Sequence, residues 1–181
     1  MSQPQNRNRW IEAGFELFAQ EGLEGIQVER LSRILKLNKS GYYHYFGNPE
    51  RYQGVLMRHM HKQADLMVTE IRACAEFDPG FLHLMVKHKL TILATMQLVR
   101  NRNVPMLMET YREVTNKIDT ALLPLWAEYI GLAHNQPLAL RYFEMIRDMF
   151  FSRITENTLH YDFLVMVATE AKALVLDLNR T

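Results

Sequence analysis

Residues 28–46 read VERLSRILKLNKSGYYHYF, and the reading of this stretch decides the fold. Val28, Leu31, Ile34, Leu35 and Leu37 recur at three- to four-residue spacing, which marks the apolar face of a short helix and the turn that follows it. After the turn, Lys39, Ser40, Gly41, Tyr43 and His44 crowd a second helix of barely two turns. A helix that short and that polar buries little, so its composition points to contact with something outside the fold. The pair reads as a helix-turn-helix whose second helix enters a DNA major groove.

Working outward, 3.6-residue periodicity recurs along the chain while strict apolar/polar alternation is rare, which predicts an all-α protein of eight or nine helices. A first helix is expected from about Arg7 to Gln20, with Ile11, Phe15 and Phe18 on one face and Gly22 as a left-handed stop. Asn48-Pro49-Glu50 is a strong start signal: an N-cap, a proline at the first helical position and an acid in the first turn. It should open a long fourth helix to about Glu76. Asp78-Pro79 repeats the device and predicts a fifth helix to about Val99. A further helical region runs from Pro105 to about Ala133, where Pro124 predicts either a kink or a junction. The last two helices are expected at about 137–154 and 157–178. The organisation predicted is a helix-turn-helix head at residues 1–48 and a helical ligand-binding and dimerisation body at 49–181.

The chain has 181 residues, 48% of them hydrophobic and 23% charged, ordinary values for a globular protein. At this length about two thirds of the unfolded surface can be buried. A single cysteine, Cys74, excludes an intramolecular disulfide and the usual multi-cysteine zinc modules. The start MSQPQNRNRW lacks a signal-peptide core and no run approaches 18 apolar residues, so the expectation is a cytoplasmic chain with no membrane contact. The net charge of +1 hides an asymmetry: residues 1–62 carry nine Lys/Arg against six Asp/Glu, the remainder twelve against fourteen. A basic head on an acidic body suits a phosphate-binding module joined to a regulatory one.

The segment from Arg7 to Tyr52 resembles the DNA-binding domain of the TetR (tetracycline repressor) family. The first helix ends in LFAQEG, the second reads VERLSRIL, the third LNKSGYYHYF, and an acid lies early in the fourth. The resemblance covers about a quarter of the chain; the remainder matches in helix count and in the placement of the last two helices. It implies a dimeric helix-turn-helix regulator, usually a repressor, that a small molecule releases from a palindromic operator. Carried over by position, Lys39, Ser40 and Gly41 would face base edges or phosphates, and Tyr43 and His44 would approach from the same helix. Gln27 and Val28 would meet a phosphate at the start of the second helix. Tyr42 and Phe46 would pack inward. Three residues depart from the family pattern. Lys36 stands in a turn position where glycine is usual, at a cost of about 1 kcal/mol if the backbone there is left-handed, and adds a cation that can meet phosphate. Pro49 replaces a lysine. Gly41 is a poor helix former, costing about 1 kcal/mol relative to alanine, and admits close approach.

The last two helices are apolar over more than half their circumference. One carries Tyr142, Phe143, Ile146, Met149 and Phe150, the other Phe163, Val167, Ala171, Leu174 and Leu178. A helix apolar nearly all round needs two burial partners, so these residues are expected to form a four-helix dimer interface with their symmetry mates. For an effector, the candidates are Met85, His88, Ile92, Met96, Met108, Tyr111 and Trp126 at helical spacing. The chain's eleven methionines suit a pocket for varied apolar ligands. The competing reading of the same residues is core. No Gly-rich phosphate loop, HExxH or serine elbow appears, and His59 and His61 point to different helix faces, so no catalytic residue, metal ligand or cofactor is expected. An alternative is a dimeric helical ligand-binding or adaptor protein with weak or lost sequence-specific DNA binding.

Overall fold

The computed structural model describes residues 3–178, and among them every regular element is a helix. Nine α-helices follow in order: α1 Gln3–Glu21, α2 Val28–Leu35, α3 Lys39–Phe46, α4 Pro49–Ala73, α5 Leu82–Lys87, α6 Lys89–Arg100, α7 Pro105–Tyr129, α8 Gln136–Arg153 and α9 Tyr161–Leu178. A 3-10 turn, Gly22–Gly25, links α1 to α2, with Gly22 at φ +73° as the expected left-handed stop.

Two compact units emerge, one of Met1–Ala64 with Leu90–Thr115, the other of Asp65–Lys89 with Asn116–Thr181. The expected head at 1–48 lies wholly in the first unit, which also takes in the start of α4, nearly all of α6 and the start of α7. Its core is aromatic. Trp10, Phe18, Tyr42 and Tyr52 are sealed from solvent, and the Tyr42 ring meets Trp10, Phe46 and Tyr52 at 4.9–5.5 Å between centroids. Tyr52 donates its hydroxyl to the Trp10 carbonyl, which crosses α4 over α1 at Gly14. A Cβ on Gly14 would stand 1.8 Å from that hydroxyl oxygen, so glycine is what lets the two helices close. Residues 91–98 of α6 are buried throughout, and Gln97 donates to the Ala19 and Gln20 carbonyls at the end of α1.

In the second unit α8 packs on α9 and α5 on α9. Trp126 donates its indole N–H to the Ala139 carbonyl at 3.1 Å, joining α7 to α8. A half-buried Arg147–Asp119 ion pair joins the same two helices. Burial raises the Asp119 carboxyl above its ordinary range against the opposing pull of Arg147.

Three expectations about boundaries change. The fifth helix predicted to run unbroken from Pro79 to Val99 is a π-type turn at Phe77–Phe81 followed by α5 and α6, which part at His88. Asp78 makes no cap; it is extended, at φ −121° and ψ 123°, and its carboxylate accepts instead from the Tyr161 hydroxyl at 2.8 Å. The last helix opens at Tyr161 rather than Asn157. Thr155 and Thr158 hold a turn ahead of it by exchanging backbone N–H to hydroxyl bonds of 2.8 and 3.2 Å. Finally, α7 runs through Pro124 as one element. Pro124 and Thr120 are both exposed, so the proline lies on the solvent side of the helix.

Candidate nucleic-acid interface

Helix α2 ends in a Schellman motif: Leu37 N–H returns to the Ser32 carbonyl and Lys36 N–H to Arg33, with Lys36 left-handed at φ 54° and ψ 42°. The Ser32 hydroxyl donates to the Leu37 carbonyl at 2.6 Å and Arg9 of α1 to the Leu35 carbonyl at 2.9 Å, fastening the turn from both sides. Asn38 then caps α3, accepting from Ser40 N–H at 3.0 Å. Such a side-chain acceptor on an orphan N–H is worth about 1 kcal/mol. At the far end Gly47, at φ +79°, stops the helix, and Asn48 caps α4 through Arg51 N–H at 2.8 Å. Helix α3 is thus stopped hard at both ends.

Two residues anchor it. Tyr42 and Phe46, four apart, are 1% and 4% exposed, as their inward assignment requires. Burial pushes the Tyr42 phenol up to about 12, so its hydroxyl stays protonated inside the core. That register turns Lys39, Ser40, Tyr43 and His44 outward, with Tyr43 49% exposed. Gly41 is half-buried, and a Cβ there would meet nothing nearer than Tyr45 at 3.9 Å. The fold therefore does not need glycine at 41. Lys36 is exposed beside the turn. Gln27 is exposed at the start of α2, whereas the Val28 side chain is 8% exposed and part of the core, leaving only its backbone to offer.

One partner escaped the sequence reading. Lys39 Nζ lies 3.1 Å from Glu29 Oε1 of α2, so the first cation of α3 is ion-paired. The Glu29 carboxyl is held below its ordinary value by its own backbone N–H and then by Lys39. Water screens an exposed pair of this kind and leaves it weak, so a phosphate or a guanine edge can compete for the lysine. Beside α3 a surface concavity of about 430 Å³ is lined by Arg7, the segment 43–47, Arg51 and Arg58. Tyr45 and the three arginines were not singled out from the sequence, because they become neighbours only when α1, α3 and α4 pack.

The remaining expected residues are scattered more widely. Met85, His88 and Trp126 belong to the second unit, and Ile92, Met96, Met108 and Tyr111 to the first. Ile92 and Met96 are core, as is Trp126, whose ring packs among Phe77, Tyr129 and Phe143. His88 Nε2 lies 3.3 Å from Glu70 Oε2, and Lys87, donating to the same oxygen at 2.6 Å, is the main reason the Glu70 carboxyl sits below its usual range. Met108 lines an open groove of about 460 Å³ with Arg102, Glu109, Arg112 and Glu113. Of the expected interface residues on α8 and α9, Ile146, Val167 and Ala171 turn into their own unit's core. Tyr142, Phe143, Phe150 and Phe163 are half-buried, and Met149, Leu174 and Leu178 are exposed. Among the described residues no three His, Cys, Asp or Glu side chains gather as metal ligands, and no helix is long and apolar enough to cross a membrane.

A solved structure of a candidate TetR-family transcriptional regulator from Mesorhizobium loti MAFF303099 superposes on this chain with a TM-score of 0.59. The match covers 96% of this chain and 98% of that one at 13% sequence identity. What the two share at that identity is the fold. No protein-family model matches the sequence, and no curated protein matches it either.

Proposed function

We propose that the chain is a DNA-binding transcription regulator of the TetR type, acting as a homodimer on a palindromic operator. The observation that carries this reading is α3 itself. Two aromatic residues anchor it, caps stop it at both ends, and Lys39, Ser40 and His44 face solvent beside Tyr43, whose ring rests edge-on against Tyr42 and is 49% exposed. Lys39 offers a cation to guanine O6 and N7 or to phosphate, Tyr43 a hydroxyl to phosphate, and Gly41 room for the backbone to approach. Lys36 and the amide end of α2 at Gln27 and Val28 supply further phosphate contacts.

Residues 1–48 are the reading head and residues 49–181 the ligand-binding and dimerisation body. Dimerisation through α8 and α9 is supported by apolar exposure: among the described residues, six of the ten exposed large hydrophobic side chains belong to these two helices, Met145, Met149, Met166, Leu174, Leu176 and Leu178. A dimer places two copies of α3 in successive major grooves about 34–36 Å apart. A mostly apolar effector releases the dimer by preferring the geometry that does not fit DNA. Moving such an equilibrium from 1:99 to 99:1 takes about 5.5 kcal/mol of differential affinity. Helix α4, which belongs to both units, is the lever.

The test is a binding-site selection from random duplex DNA, followed by titration of the selected site with the wild type and with Lys39→Ala/Tyr43→Ala. The double variant should lose operator binding while remaining folded and dimeric. Retained binding would overturn the docking. The Lys39–Glu29 pair and the prolyl residue at 49 favour the alternative, an adaptor that no longer reads sequence; that protein would enrich no site from the pool.

A further inference from the structure

Concave ground on the first unit is unevenly charged. The groove bearing Met108 sets Arg102 and Arg112 against Glu109 and Glu113, so its charges cancel. The concavity beside α3 has Arg7, Arg51 and Arg58 on its walls and no carboxylate among its lining residues. None of the three arginines forms an ion pair among the described residues, whereas Arg30 is bound to Glu21 and Lys39 to Glu29 on the same unit.

The arginines are also laid in place. Arg7 carries its guanidinium over the Phe46 ring, 5.5 Å from the centroid, at the anchored end of α3. Arg51 and Arg58 are seven residues apart on α4, two helical turns and therefore the same face, with a rise of about 10.5 Å between them. Each lies against a glycine. A Cβ at Gly47 would be 3.4 Å from Arg51 Nη1, and one at Gly54 would be 3.7 Å from Arg58 Nη1. The glycines leave the floor of the groove open, and Tyr43, His44 and Tyr45 form its α3 wall.

We infer that this groove is a second DNA contact, a track for the phosphodiester strand that flanks the half-site read by α3. The inference rests on the DNA-binding reading and deepens it. A single strand carries one phosphate per about 3.4 Å of helix axis, so the spacing of Arg51 and Arg58 spans about three phosphates. Guanidinium groups meet phosphate oxygens through paired N–H donors, which suits a fixed arginine better than a mobile lysine. The cation absent at Pro49 is supplied two residues later by Arg51 and again by Arg58. These contacts set affinity and register without reading bases.

The test is fluorescence anisotropy of full-length protein on two labelled duplexes, the selected operator and a scrambled one, over a range of salt. Arg51→Ala/Arg58→Ala should lower the slope of log affinity against log salt by about 1.8, since each phosphate contact contributes about 0.9. It should weaken both duplexes by the same factor. Arg51→Lys/Arg58→Lys should recover the slope, and Arg102→Ala/Arg112→Ala should leave it unchanged. Circular dichroism confirms that each variant is folded. A slope change under about 1 in the alanine pair, or a loss confined to the operator, overturns the phosphate track while the DNA reading stands. If the wild type binds neither duplex at low salt, both fall together.

Discussion

Helices α3 and α9 both leave unusual side chains in water, but of opposite kinds. On α3 the exposed residues are Lys39, Ser40, Tyr43 and His44, held out by an anchor of two aromatics; on α9 they are Met166, Leu174, Leu176 and Leu178, over an anchor of Leu164, Val167, Ala168, Ala171 and Val175. Exposed polar groups cost the free protein little, because water satisfies them, so their exposure by itself costs nothing that a partner must repay. Exposed apolar groups carry a standing cost of about 25 cal/mol per Å², and any covering surface removes it. The chemistry of the first helix therefore suits the partner proposed for it, whereas the second shows only an apolar surface that a cover would stabilise.

The largest way to break this contrast is to remove the anchor of α3. Tyr42→Ala deletes a sealed ring that touches Trp10, Phe46 and Tyr52. It should cost about 3–5 kcal/mol. The chain's two tryptophans make the measurement specific, since Trp10 lies in the first unit and Trp126 in the second. In a Trp126→Phe background, the urea midpoint followed by Trp10 fluorescence should fall steeply. A midpoint unmoved by Tyr42→Ala would mean that α3 is held by something other than its aromatic pair.

Next in size is the cover over α9. Met166→Glu with Leu174→Glu places two carboxylates where side chains are 43% exposed in the protomer, so the protomer itself should stay folded. If a second copy covers them, each loses about 1.5–3 kcal/mol of burial, and dimer affinity should drop at least a hundredfold. Sedimentation velocity at micromolar concentration should then show monomer. An unshifted dimer would place the interface elsewhere.

Much of residues 28–49 was legible because local rules settle it: 3.6-residue spacing fixes Leu31 inside, Asn48-Pro49 fixes the start of α4, and Tyr42 and Phe46 are the two aromatics four apart; Ile34, assigned to the same apolar face, is instead 53% exposed. Lys36 is a case in point, a non-glycine residue that the turn nevertheless holds left-handed. What was not legible depends on distant partners. Asp78 looked like a cap until Tyr161, 83 residues away, claimed its carboxylate. Ile146, Val167 and Ala171 look the same in sequence as Met149 and Leu174, because a helix apolar all round does not say which side meets its own core. Arg7, Arg51 and Arg58 sit on two helices and gather only after packing.

Smallest in free energy, and sharpest about the turn between α2 and α3, is Lys36→Gly. Glycine removes the left-handed penalty of about 1 kcal/mol but gives the unfolded chain more freedom, which takes back about half of it. The net gain should be about 0.5 kcal/mol, seen as a higher Trp10 midpoint in the same single-tryptophan background. DNA affinity should move the other way. If the Lys36 ammonium meets a phosphate, the salt slope falls by about 0.9 on operator and scrambled duplex alike. A variant that is more stable and binds less tightly would show that the strained lysine is kept for its charge. Greater stability with an unchanged slope would make Lys36 a turn residue only, and would leave phosphate contact to α3 and the arginine groove.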